Sequence, residues 1–201
     1  MPRLVFVWLV LMCLAIALPA GDVAAGTDAE RARVVELVNQ ERVRSGLAPV
    51  WENTVLTSAG EAYAAYMASA DFFSHTGPDG STVSSRAEAA GYAGWTWLGE
   101  NIAAGQSTPE QVFQAWMNSA GHRANILSPN AREIGIGHAE DAGARYRHYW
   151  TMELGDRVGA APPAPTRTGP VPPTPTPARY LGPAGPFRLH VPAAPKAPTG
   201  F

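Results

Sequence analysis

Three polar residues occur where a plain structural domain would not need them. His75 follows two phenylalanines in FFSHTGPDG, Glu100 lies within the apolar segment WTWLGENIAAG, and His122 lies within SAGHRANIL. Two imidazoles and one carboxylate form the ligand set of many open zinc sites. The separations of 25 and 22 residues, however, match none of the local spacings that identify such sites from sequence. A hydrogen-bonded network without a metal explains the same residues at least as well.

The adjacent residues Glu100 and Asn101 lie between tryptophans and a leucine on one side and Ile-Ala-Ala on the other. Burial of an unpaired charge costs on the order of several kcal/mol, so both side chains need partners. We expect the carboxylate of Glu100 to accept hydrogen bonds from His75, His122, an arginine or a backbone amide. We expect Asn101 to bond to loop backbone. Such an arrangement would stabilise a cleft whether or not the cleft binds a ligand.

Helical spacing of apolar residues predicts the elements that would position these groups. Predicted helices run from 28 to 45, from 54 to 69, from 82 to 90, and from Pro109 onward with Thr108 as the N-cap. Apolar residues recur at every second position in REIGIGHAE and YRHYWTMELG, which predicts two strands in a hairpin. Helices followed by an antiparallel hairpin, without a strand–helix alternation, predict a layered α+β fold.

The start of the chain predicts export. Residues 1–25 have a basic start, an apolar run and small residues at Ala20 and Ala25, which are the features of a secretory signal peptide. The apolar run, about fifteen residues, is too short to span a bilayer comfortably. The only cysteine, Cys13, lies within this run, so a hydrophobic core must stabilise the mature chain without disulfides. No membrane-spanning segment is predicted to remain after the signal is removed.

The other end of the chain has a different composition. Prolines occupy 13 of the last 41 residues, so 158–201 is predicted to be an extended or disordered tail. Residues 28–157 are left as one domain, which carries 10 Arg against 16 Asp plus Glu, a net charge of −6. An acidic domain with a weakly basic tail argues against nucleic acid as the partner.

Six segments in sequence order resemble the bacterial, cysteine-free branch of the CAP superfamily. This superfamily, also called the SCP domain, groups cysteine-rich secretory proteins, antigen 5 and plant pathogenesis-related proteins. The segments, between about residues 30 and 156, are FFSH with a following DG, AGY, GENIA, W with a following SAGHRANIL, EIGIG and YWTMELG. The resemblance implies an α-β-α sandwich with a small antiparallel sheet between helical layers.

The resemblance also implies a central cleft lined by two histidines and two acidic residues. His75 matches the first histidine, Glu100 the acid of GEN, and His122 the second histidine. Ser119 occupies the position of the second acid, and a neutral serine supplies less charge to hold a dication. The implied cleft therefore comprises His75, Glu100, His122, Ser119 and Asn101. No cofactor is required, although Zn²⁺, Mg²⁺ or Ca²⁺ could bind to the two histidines and the glutamate.

Family members are extracellular proteins, some of which bind sterols, fatty acids or other small lipids. The favoured interpretation is a secreted or cell-envelope binding module, without catalysis, whose partner is a small lipid or an envelope component. A second hypothesis is a metal-assisted hydrolase of peptide or cell-wall bonds that uses His75, Glu100 and His122. A third is an interaction protein whose proline-rich tail acts as a spacer.

Overall fold

The structure, a computed structural model, describes residues 24–161. Most of the predicted signal peptide and most of the predicted tail lie outside the described residues. The described helices are α1 (Asp28–Arg44), α2 (Thr54–Ser69), α3 (Val83–Ala89), α4 (Pro109–Met117) and α5 (Ala120–Ile126). The strands are β1 (Ala24–Ala25), β2 (Trp51–Glu52), β3 (Trp95–Ala104), β4 (Glu133–Glu140) and β5 (His148–Arg157).

Four of the helices begin at a residue whose side chain accepts from a backbone amide of the first turn. Thr27, Asn53, Thr82 and Thr108 act as these N-caps, and Pro109 occupies the first turn of α4. The caps explain why the predicted helix starts agree with the structure to within a residue. Neither β3 nor α5 is predicted by periodicity, because polar residues and a glycine interrupt β3 and α5 has only seven residues.

The strands form one sheet in the order β1-β4-β5-β3, with β2 parallel to β4 and the other pairs antiparallel. Strand β3 is therefore an edge strand, and Glu100 lies directly opposite Glu153 of β5. Because side chains alternate between the two faces, Glu100 and Glu153 share one face, while Asn101 and Met152 point to the other. This register brings two acidic residues together near the middle of the sheet.

Helices cover both faces of this sheet. Helices α1, α4 and α5 pack on the face that carries Ile134, Ile136, Trp150 and Met152, all of which are fully buried. Helix α2 covers the opposite face, where Tyr63 and Met67 pack against Ile102 and Tyr149 of the sheet, and α3 lies beside it. The predicted α-β-α sandwich is confirmed.

Two glycines of β4 allow α2 to approach the sheet closely. A Cβ atom at Gly135 would lie 2.2 Å from the carbonyl carbon of Leu56, and one at Gly137 would lie 2.2 Å from that of Gly60. Any larger residue at these positions would push α2 away from the sheet. The EIGIG segment is thus a packing surface for α2.

The buried guanidinium of Arg42 joins α1 to the segment that follows α5. It donates to the carbonyls of Ala48 at 2.9 Å, Ile126 at 2.7 Å, Ser128 at 2.9 Å and Ala131 at 3.0 Å. These carbonyls include one at the end of α5, whose dipole favours a positive charge. Arg42 therefore fixes the end of the short helix that carries His122.

None of the helices between residues 24 and 161 is both long and apolar enough to cross a membrane.

Candidate functional site

The imidazole of His75 and the carboxylate of Glu100 form the centre of the site. His75 lies in the loop between α2 and α3, and its Nδ1 donates to Oε1 of Glu100 at 2.6 Å. The Glu100 side chain is only 3% exposed, whereas that of His75 is 56% exposed. A buried carboxylate thus orients a solvent-accessible ring. With Nδ1 used as the donor, Nε2 is the acceptor nitrogen of the neutral form of the ring.

Arg86 of α3 engages the second oxygen of Glu100. Its Nη2 donates to Oε2 of Glu100 at 2.5 Å, and its guanidinium lies over the ring of Tyr63, 3.3 Å from the centroid. The same guanidinium donates to the carbonyl of His75 at 3.3 Å and to that of Ser81 at 3.0 Å. Arg86 therefore holds both the carboxylate and the loop that carries the imidazole.

A second buried acid, Glu153, lies beside Glu100. Its side chain is 2% exposed and within hydrogen-bonding reach of Glu100, and Oε2 has no partner among the described residues. Burial raises the pKa of Glu153 well above its usual range, and the adjacent charge of Glu100 raises it further. The folded structure therefore favours the protonated form of Glu153.

Helix α5 carries His122. Burial lowers the pKa of His122, and a positive charge on His75 lowers it further, so the neutral form of the His122 ring is favoured. The helix is fixed to β3 by Asn101, which donates to the carbonyl of His122 at 3.0 Å and accepts from Asn125 at 2.9 Å. Asn125 also donates to the carbonyl of Glu100 at 3.2 Å.

Two of the five predicted site residues have other positions than expected. Asn101 is fully buried on the face opposite Glu100 and bonds to helix α5 rather than to loop backbone. It positions His122 and does not line the cleft. Ser119 is the N-cap residue of α5, but its hydroxyl makes no capping bond, and no hydrogen bond connects it to His75 or Glu100 among the described residues. The structure brings His75 and Glu100 together, and His122 lies on α5, whose backbone is bonded to Asn101 of β3.

Glu133, the other acid near this region in sequence, belongs to a separate structural network. It accepts from Tyr92 at 2.6 Å, Asn53 at 2.7 Å and Arg157 at 3.1 Å. Burial alone would raise the pKa of Glu133, but these donors outweigh it and hold the pKa below its usual range. Glu133 thus links β4 to the start of α2, and it does not replace the acid that is absent at Ser119.

The residues present do not fit a three-ligand divalent metal centre. Both oxygens of Glu100 already accept hydrogen bonds, one from His75 and one from the guanidinium of Arg86. A dication on this carboxylate would meet the positive charge of Arg86 at close range. Within residues 24–161, no group of three or more potential ligand residues is arranged to hold a metal ion.

Three residues of the site are not found by sequence reasoning: Tyr63, Arg86 and Glu153. Arg86 lies in an ordinary amphipathic helix, where an arginine most often faces solvent. Glu153 did carry a signal, because it shares its strand face with Tyr149 and Thr151, which a helix was expected to cover. An acid at an inward-facing strand position requires a partner on the neighbouring strand, and Glu100 is the residue found there.

A profile of the cysteine-rich secretory protein (CAP) family matches residues 35–154. The chain belongs to the CAP family. The uncharacterized protein YkwD of Bacillus subtilis is 38% identical over 122 residues, which cover 61% of this chain and 45% of YkwD. A bacterial relative at this identity supports the bacterial branch of the family. The chain spans less than half the length of this relative.

Solved structures agree with this assignment. An extracellular protein of Bacillus anthracis containing an SCP domain matches with a TM-score of 0.57 and 25% identity, covering 65% of this CAP chain and 41% of its own. An outer surface protein of Borrelia burgdorferi matches with a TM-score of 0.62 and 18% identity, covering 68% of this chain and 98% of its own. At that identity, the second similarity concerns the fold alone.

Proposed function

We propose that this CAP protein is an extracellular binding module that holds a small amphiphilic lipid at the His75–His122 cleft. The observation that carries the proposal is the 2.6 Å bond from His75 to buried Glu100, which fixes an exposed imidazole in one orientation. The imidazoles of His75 and His122 would provide acceptors and donors for the hydroxyl or ester of a headgroup. The similarity to an extracellular SCP-domain protein supports the location outside the cell or in its envelope.

An exposed aromatic pair next to the cleft supports a lipid as the ligand. Phe73 and Tyr146 are 43% and 40% exposed, and their rings pack edge to face with centroids 5.9 Å apart. Phe73 precedes His75 by two residues in the same loop. An apolar surface beside hydrogen-bonding imidazoles matches a molecule that has an apolar body and a polar head.

The test is a thermal-shift and titration screen with free fatty acids, lysophospholipids and sterols. At least one lipid should raise the melting temperature of the wild type. His75→Gln should weaken its binding roughly tenfold through loss of one oriented hydrogen bond. Phe73→Ala should weaken it by a similar factor, whereas Glu52→Gln, an exposed change on β2, should have no effect. The proposal is wrong if no lipid shifts the wild type or if His75→Gln binds equally well.

The same pair of residues favours one second candidate, a hydrolase in which His75 acts as a general base without a metal. A carboxylate that orients an imidazole through Nδ1 leaves Nε2 able to accept a proton from water. Peptide and cell-wall substrates should then be cleaved by the wild type and not by His75→Gln or Glu100→Gln. If the purified wild type cleaves none of these substrates, the hydrolase candidate is excluded and the lipid-binding proposal is unaffected.

A further inference from the structure

Two acidic side chains lie together in the interior of this sheet and require a cation or a proton. Glu100 and Glu153 are opposite each other on β3 and β5, and they are 7% and 2% exposed. Two buried carboxylates at this separation cannot both be ionised without a positive partner. The positively charged side chain that bonds to this pair is Arg86, which donates to Glu100.

Arg86 supplies the positive charge and is mostly buried. The side chain is 11% exposed, packs on the ring of Tyr63, and donates to Glu100 and to the carbonyls of His75 and Ser81. Its planar fork thus bonds to three acceptor groups while its flat face lies on the Tyr63 ring. The guanidinium is therefore held in one orientation beside Glu100.

This placement puts a fixed cation on the carboxylate that a metal would need. A divalent ion bound by His75, His122 and Glu100 would either replace the His75 bond at Oε1, beside a carboxylate that Arg86 already neutralises, or displace Arg86 from Oε2 or share that oxygen with it. Displacement would leave the guanidinium buried without its carboxylate, at a large cost in free energy. Sharing would bring two like charges together in a site of low dielectric constant.

We infer that Arg86 is the resident cation of this cleft and takes the place of a divalent metal ion. It neutralises Glu100, ties the His75 loop to α3 and makes the geometry of the imidazoles independent of metal supply. Arg86 is a positioning residue, because it would act on a ligand only through Glu100 and His75. This inference is independent of the identity of the ligand proposed above.

Metal titration of the wild type and of Arg86→Ala tests the inference. The wild-type full chain should show no stoichiometric binding of Zn²⁺ tighter than about 100 μM by calorimetry, since two imidazoles alone are a weak site. EDTA should leave its melting temperature unchanged. Arg86→Ala should melt several degrees lower than the wild type. It should bind one Zn²⁺ at least roughly tenfold more tightly than the wild type, and added zinc should restore part of the lost melting temperature.

The double variant Arg86→Ala/Glu100→Gln is the matched control. Without the carboxylate it should lose the gained zinc affinity, and its melting temperature should exceed that of Arg86→Ala because no unpaired charge is buried. Stoichiometric micromolar zinc binding by the wild type, abolished by His75→Gln, would overturn the inference. So would a folded Arg86→Ala protein that binds zinc no better than the wild type. If Arg86→Ala folds neither with nor without zinc, the wild-type titration decides alone.

Discussion

At the scale of single residues, the protonation of Glu153 controls how the site responds to pH. Because burial and Glu100 raise its pKa in the folded state, the folded protein keeps a proton that the unfolded chain releases above about pH 4.5. The folded state then binds more protons than the unfolded state, so this group makes the protein less stable as the pH rises from 4.5 toward the raised pKa. A neutral amide at position 153 would not make the stability of the protein depend on pH in this way.

Glu153→Gln should therefore gain stability over the wild type as the pH rises. We expect the difference in free energy of unfolding between variant and wild type to shift in favour of the variant between pH 5 and pH 8. Urea unfolding at the two pH values measures it, with Glu52→Gln as the control. An equal difference at both pH values would show that Glu153 is ionised in the folded protein.

The individual residues also show where sequence reasoning succeeds and where it stops. Glu100 reads as a buried acid in need of donors, and His75 is one of the donors expected. Arg86 could not be chosen among the arginines, because its selection depends on the rotation of α3 against the sheet. Asn101 reads as a cleft residue because of its neighbour, yet strand alternation places it on the other face.

At the scale of elements, the short helix α5 depends on Arg42 for its position. Arg42→Ala would leave four buried or half-buried carbonyls without a donor and should reduce the free energy of unfolding by about 3 kcal/mol. Arg44→Ala, an exposed change on the same helix, should alter it by less than about 0.5 kcal/mol. Denaturant unfolding compares them. Similar values for the two variants would mean that water replaces the bonds made by Arg42.

The contact between α2 and β4 gives a second test at this scale. Gly137→Ala places a methyl group 2.2 Å from the carbonyl carbon of Gly60 and should destabilise the fold by about 3 kcal/mol or more. Gly121→Ala in α5 meets nothing within 4 Å and should be neutral or slightly stabilising. Thermal unfolding distinguishes them. A tolerated Gly137→Ala would show that α2 can move away from the sheet without loss of packing.

Most elements follow from local signals. The caps at Thr27, Asn53, Thr82 and Thr108 fix the helix starts, and alternation fixes the faces of β4 and β5. Strand β3 is not predicted because its central residues are polar. Those residues become buried only when β3 pairs with β5 and the helices cover the sheet. The site lies on this strand, so the element that positions the chemistry is the one least visible in the sequence.

At the scale of the whole molecule, the position at which the predicted signal peptide is cleaved determines whether the chain keeps strand β1. Ala24 and Ala25 form β1 and pair with Ala139 and Glu140. Processing after Ala20 would keep this strand, whereas processing after Ala25 would remove it. We expect the exported protein to begin at Gly21, and mass spectrometry of the secreted chain checks this. A mature chain that begins at Gly26 would show that β1 is dispensable.

The whole-molecule fold and the family were accessible from the order of motifs along the chain. The meeting of His75 and Glu100 across a separation of 25 residues was accessible only through that resemblance. The contacts of Arg86 and Glu153 with Glu100 depend on how α3 and β5 pack against β3. Such three-dimensional contacts leave no fixed spacing in a single sequence.

Glu100 holds the imidazole of His75 by Nδ1 while Arg86 bonds to the other oxygen of the carboxylate. Nitrogen-15 NMR of the histidine side chains, at a pH where they are neutral and with His75→Gln for assignment, tests this geometry directly. His75 should carry its proton on Nδ1, and addition of Zn²⁺ should leave its signals unchanged. A His75 protonated on Nε2, or signals displaced by one equivalent of Zn²⁺, would show that this geometry is wrong.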